Sequence, residues 1–204
     1  GEVKVRVQCS ERQTVLATAV LREKLVATTS ADTVPGAAAI LGLPFAFASH
    51  FAPRFLLEAV ELYRSRFQPS SQLDKPHVTV AANAIAAPTD DEAHFLLRSL
   101  RLRFAGMARG VRGQLPPPEA FVEAEWSPAE LAFAQQSLAC SAVGAPDTVR
   151  RDLETLLERT GADELILTAQ IFDHAARLRS MELVASTWGL PVAERARAMS
   201  VTTR

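Results

Sequence analysis

From Leu43 onward the chain alternates short apolar runs with longer segments of helical period, and few architectures accommodate that alternation. Strands separated by helix-length connections form a parallel sheet, because each connection must carry the chain back along the sheet before the next strand starts. The first run, Leu43-Pro44-Phe45-Ala46-Phe47-Ala48, is apolar throughout, the composition of a strand covered on both faces. Beyond Pro53, which suits a first helical turn, Leu56, Val60, Tyr63 and Phe67 recur at helical spacing among Glu58, Glu61, Arg64 and Arg66. The second unit reads as a strand over 77–85 and a helix opened by Thr89-Asp90-Asp91-Glu92. There Thr or Asp caps free amides and the acidic first turn complements the helix dipole. Ala93, Leu96, Leu97, Leu100, Phe104 and Met107 form its expected buried stripe.

In the third unit a turn at Val143-Gly144-Ala145-Pro146-Asp147 leads into a helix that buries Val149, Leu153, Leu156 and Leu157 and stops at Gly161. A strand over 165–169 follows, then a last helix from Asp173 that buries Leu178, Met181 and Val184. Between the second and third units, Pro116-Pro117-Pro118 and a short helix at Ser127-Pro128-Ala129-Glu130 interrupt the rhythm as an insertion. The three strands are expected to be parallel neighbours in chain order, joined by right-handed crossovers.

The ends of the chain carry a weaker pattern. Residues 2–8 alternate like a strand, 14–26 are helix-compatible, 28–33 read as a loop, and 191–204 form a basic tail without an apolar stripe. The chain has 22 Lys+Arg against 23 Asp+Glu and is 48% apolar. That balance excludes a disordered chain and a general electrostatic pull toward nucleic acid or anionic membrane. Arg98, Arg101, Arg103, Arg109 and Arg112 make one helix basic, but without interleaved aromatics they read as a solvated face and no nucleic-acid partner is expected. Cys9 and Cys140 lack metal-type spacing, so a reducing cytoplasm fits. No run of about 18 apolar residues reads as a membrane span, and Gly1-Glu2-Val3-Lys4 lacks a secretory pattern.

Four ordered blocks resemble the bacterial luciferase-like flavin-dependent monooxygenase family: residues 41–53 (Leu41-Gly42-Leu43 to Phe51-Ala52-Pro53), 86–93, 143–149, and 160–180 with its Ile171-Phe172-Asp173-His174 segment. The resemblance covers roughly 37–185 and implies an α/β fold, a partial (β/α)8 TIM barrel made of its last three βα units, behind a divergent N-terminal segment. The implied division is 1–36 divergent, 37–190 luciferase-like half-barrel and 191–204 flexible tail. A full barrel of this type takes about 250 residues, and the family's N-terminal strands, with their general acid/base histidine, have no counterpart here. The break upstream of Ala37 fits a truncated or frame-disrupted gene or a remodelled N-terminus.

Barrel active sites lie at the C-terminal ends of strands, which makes Ser49 and His50 the best-placed polar pair. By resemblance His50 is the candidate catalytic residue, donating a hydrogen bond to flavin or substrate; as a plain loop histidine it would cap nearby carbonyls. Ser49, Asn83 and Gln170 are candidate cofactor contacts on the same rim, with a satisfied buried amide as the other reading of Asn83. The largest ligand-sized cleft is expected over these four residues. Ser30 is the one plausible match to the family's flavin-phosphate loop, beside an Asp32 that would repel a phosphate. Asp173 reads as a helix cap rather than a catalytic carboxylate. His50, His77, His94 and His174 have no metal-ligand spacing, so no metal is expected.

The resemblance implies reduced FMN as cofactor, with the deazaflavin coenzyme F420 as the alternative. It also implies a flavin reductase partner, a small organic substrate, and self-association through exposed barrel edges. A different class of reading is a catalytically silent half-barrel acting as an interaction or assembly module.

Overall fold

The computed structural model describes residues 4–7, 27–29 and 34–190. Its elements in chain order are β1 (Lys4–Val7), β2 (Ala27–Thr29), α1 (Val34–Ile40), β3 (Phe45–Phe47), α2 (Leu56–Arg66), β4 (Val78–Ala86), α3 (Asp90–Ala108), α4 (Pro128–Ser137), β5 (Ser141–Gly144), α5 (Pro146–Thr160), β6 (Glu164–Thr168) and α6 (His174–Thr187). The sheet runs β1-β6-β4-β3-β2, with β5 paired to β4, and every pairing is parallel. The three strands expected as neighbours are therefore adjacent in the expected order. The segments 14–26, 30–33 and 191–204 lie outside the described residues.

Three expectations need correction. Residues 28 and 29 were expected in a loop but lie in β2, in register with Ala46 and Phe47; β-branched threonines fit a strand that gains a neighbour. The turn expected at 143–147 begins instead as β5, whose four residues pair with the last four of β4. Met107, assigned to the stripe of α3, is 45% exposed. The stripe ends at Phe104 and Ala105 because the insertion takes over the packing of that end of the helix.

The helix boundaries follow local chemistry. Thr89 accepts from the Glu92 amide at the start of α3, Ser127 and Glu130 form a reciprocal capping box on α4, and Gly161 adopts the left-handed conformation that ends α5. A Cβ on Gly144 would sit 2.6 Å from Thr148 Cγ2 and also strike Asp90 Oδ1, so glycine is required where Asp90 accepts from the Ala145 amide at 2.6 Å.

Two of the arginines on and just after α3 are engaged with the insertion. Arg101 lies over the Phe121 ring at 5.5 Å and Arg109 over the Trp126 indole at 3.9 Å, the latter also pairing with Glu130. Arg109, with the Ser127 amide and hydroxyl, holds the Glu130 carboxyl down to about 2. These stacked cations tie the insertion to α3. Among the described residues, no helix is long and apolar enough to cross a membrane.

Candidate functional site

Period-two alternation divides each central strand between two environments. Phe45, Phe47, Val78, Val80, Ala82, Leu165 and Leu167 belong to the buried core shared with α1, α2 and α5. Ala46, Thr79, Ala81, Asn83, Glu164, Ile166 and Thr168 occupy the alternate positions, and register aligns them into layers: Ala46 with Thr79 and Glu164, Ala81 with Ile166, and Asn83 with Thr168 and Ser141. Small and polar side chains on this second face leave room above the sheet, and the Asn83 layer lies nearest the C-terminal rim.

Ser49 and His50 follow β3 onto that rim. The Ser49 hydroxyl donates to the Ala81 carbonyl at 2.5 Å, and the His50 amide donates to the same carbonyl at 3.2 Å. The two bonds tie the turn after β3 to the middle of β4. His50 is 4% exposed, yet among the described residues neither Nδ1 nor Nε2 has a hydrogen-bond partner. Leaving buried ring nitrogens unpaired is costly, and the Ala81 carbonyl lies close enough to act on the ring without a well-formed hydrogen bond. Burial pushes the imidazole below its ordinary value, partly offset by the Ala81 carbonyl.

That shift carries a testable sign. A histidine held neutral in the fold leaves the unfolded chain to take up the proton first as pH falls below 6.5, so stability is present above that pH and is lost on acidification toward the folded value. Urea unfolding between about pH 7 and pH 5 is expected to show a flatter stability profile for His50→Gln than for the parent chain. Identical slopes would mean that His50 titrates normally.

Asn83 is completely buried and tied to two neighbouring strands and the loop after β6. Its Oδ1 accepts from Thr168 Oγ1 at 3.1 Å and from Gln170 Nε2 at 3.3 Å, while its Nδ2 donates to Ser141 Oγ at 3.3 Å. The carboxamide is thus spent on neighbours, and Gln170 keeps its oxygen as a remaining acceptor. Sequence reasoning passed over Ser141 and Thr168. The available signal was a polar residue closing the apolar run Leu165-Ile166-Leu167-Thr168 and a serine beside Cys140. Burial pushes the Cys140 thiol up, with the Ser49 hydroxyl opposing it.

Asp173 is the cap of α6, accepting from the Ala176 amide at 2.7 Å. Ser30 lies outside the described residues. A concavity among the described residues lies off the rim quartet over which a cleft was expected. It holds about 210 Å³ between the end of β4, α3 and α6, lined by Ala86, Pro88, Phe95, Leu96 and Arg179.

No protein-family model matches the chain. A luciferase-like monooxygenase of Escherichia coli (strain K12) is 51% identical over 146 residues, 72% of this chain and 44% of the relative. Over that stretch the chain is similar to luciferase-like monooxygenases. The Bacillus subtilis (strain 168) protein YvbT is 43% identical over 148 residues, again 72% of this chain and 44% of the relative. The crystal structure of apo-MsnO8 superposes with a TM-score of 0.74 at 32% identity, covering 83% of this chain and 52% of that one. This luciferase-like chain therefore spans about half the length of the proteins it matches, and its fold is a partial (β/α)8 barrel. Ser49, His50, Asn83 and Gln170 stand at the C-terminal ends of three of its strands, the rim on which barrels of this kind place their chemistry.

Proposed function

We propose that this chain supplies the C-terminal βα units of a reduced-flavin-dependent monooxygenase, and that its rim around His50 meets the flavin ring or a small organic substrate. The observation that carries this reading is the buried imidazole with both nitrogens unpartnered among the described residues, in a chain similar to luciferase-like monooxygenases. A neutral imidazole offers one donor and one acceptor, which suits the edge of a flat heterocycle or a carbonyl. Gln170 offers an acceptor, and Ser49, whose proton goes to Ala81, can only accept. Asn83 acts behind them. Reduced FMN, when bound, supplies the electrons and dioxygen activation for oxygenation, and a flavin reductase is the proposed source of the reduced cofactor. Coenzyme F420 is the alternative cofactor.

The test combines the purified chain with the N-terminal portion of the Escherichia coli relative and follows FMN binding by fluorescence quenching. The mixture is expected to bind FMN more tightly than either piece, and His50→Ala to weaken that binding by up to about tenfold, the worth of one hydrogen bond. A mixture that binds no FMN would overturn the reading. It would favour the silent interaction module.

A further inference from the structure

His50, buried from solvent, lies against a residue that is itself half open. The Phe51 ring lies 4.1 Å from the imidazole, centroid to centroid, tilted by 44°, and Phe51 is 50% exposed while His50 is 4% exposed. The two residues share a turn in which the Phe51 amide donates to the Ala48 carbonyl at 3.0 Å, and the His50 backbone is pinned to β4 through Ala81. The imidazole therefore sits on an anchored backbone, whereas half of Phe51 is open to solvent.

We propose that Phe51 is the access-determining residue of the His50 site: its ring covers the two unpartnered ring nitrogens and must swing aside before a ligand can satisfy them. Half-exposed aromatic rings reorient by rotamer change without disturbing the backbone, so the motion needs no rearrangement of the sheet. The energetics favour exchange. A ligand that hydrogen-bonds to the imidazole removes the cost of two orphaned groups, and it displaces only one aromatic contact. A flat ring could also take Phe51's place against the imidazole, so the site selects for planar heteroaromatic groups over aliphatic ones. The nature of the ligand rests on the flavin reading above; the covering of His50 by Phe51 does not.

Diethyl pyrocarbonate, which acylates neutral imidazole nitrogens, reads this access without any need for turnover. The 204-residue chain is treated with the reagent and the extent of modification at each histidine is followed by peptide mass analysis, with exposed His94 and His174 as internal references. His50 is expected to react slowly in the parent chain. It should react about tenfold faster in Phe51→Ala, the change expected when an aromatic pair of this strength is removed. Phe51→Leu, which keeps apolar bulk without a ring, should fall between. Phe51→Trp should stay protected.

Equal His50 rates in the parent, Phe51→Ala and Phe51→Leu chains would overturn the proposal. If Phe51→Ala also unmasks partly shielded His77 and so reports general unfolding, the Leu and Trp variants decide. Oxidised FMN added to Phe51→Ala mixed with the N-terminal portion of the Escherichia coli relative provides the separate arm. Protection of His50 there supports the flavin reading, and its absence alongside an unmasked His50 leaves the cover intact and sinks the ligand.

Discussion

Given reduced FMN, dioxygen and a panel of aliphatic aldehydes, the purified 204-residue chain is expected to form no oxygenated product above the protein-free background, while the full-length Escherichia coli relative turns over. Eight strands close a barrel of this kind, and the described strands fill five positions along the sheet path from β1 to β2. An open parallel sheet cannot surround a cofactor, and the reactive centre of a flavin oxygenase needs water kept out. The family's acid/base histidine belongs to strands that this sequence does not match, and His50 cannot both orient a ligand and replace it. Product from the isolated chain at a rate comparable to the relative would overturn this expectation. Loss of turnover with retained FMN binding would separate the missing walls from the rim residues as the cause.

Much of this architecture is legible in the residues themselves. Apolar runs marked the strands, although Ala46, Ile166 and Thr168 on their alternate face are only half-buried, and the caps at Thr89, Ser127 and Asp173 marked three helix starts that the structure reproduces. What escaped was decided by partners distant in sequence. Residues 27–29 have no apolar periodicity of their own and become a strand only because β3 offers an edge. Ser141–Gly144 is too short and too mixed to read as a strand until its pairing with the end of β4 is seen. Ser49, His50, Asn83 and Gln170 could be placed on a rim from the order of strands alone, but not their division of labour. The Asn83 carboxamide turns away from any ligand because Thr168, Gln170 and Ser141 take its hydrogen-bonding groups first. Among the described residues the His50 imidazole has no such hydrogen-bond partners.

That division predicts opposite responses to truncation at the two positions. Asn83→Ala is expected to destabilise the chain by about 2–3 kcal/mol, from three hydrogen bonds lost at roughly 1 kcal/mol each and a small cavity, less the water that the half-buried partners can recruit. For a chain of this size the corresponding fall in Tm is about 5–10 °C. Ser141→Ala, which removes one of those bonds, should cost about 1 kcal/mol. The double variant Asn83→Ala with Ser141→Ala should cost less than the sum, because the second change removes a bond already broken. Truncating His50 forfeits no hydrogen bond from its side chain, and its loss should cost only packing while it weakens ligand binding. Urea denaturation of the four variants settles the assignment. An Asn83→Ala chain within about 0.5 kcal/mol of the parent would show that the carboxamide does not clamp the strands, and would return Asn83 to the set of residues that can face a ligand.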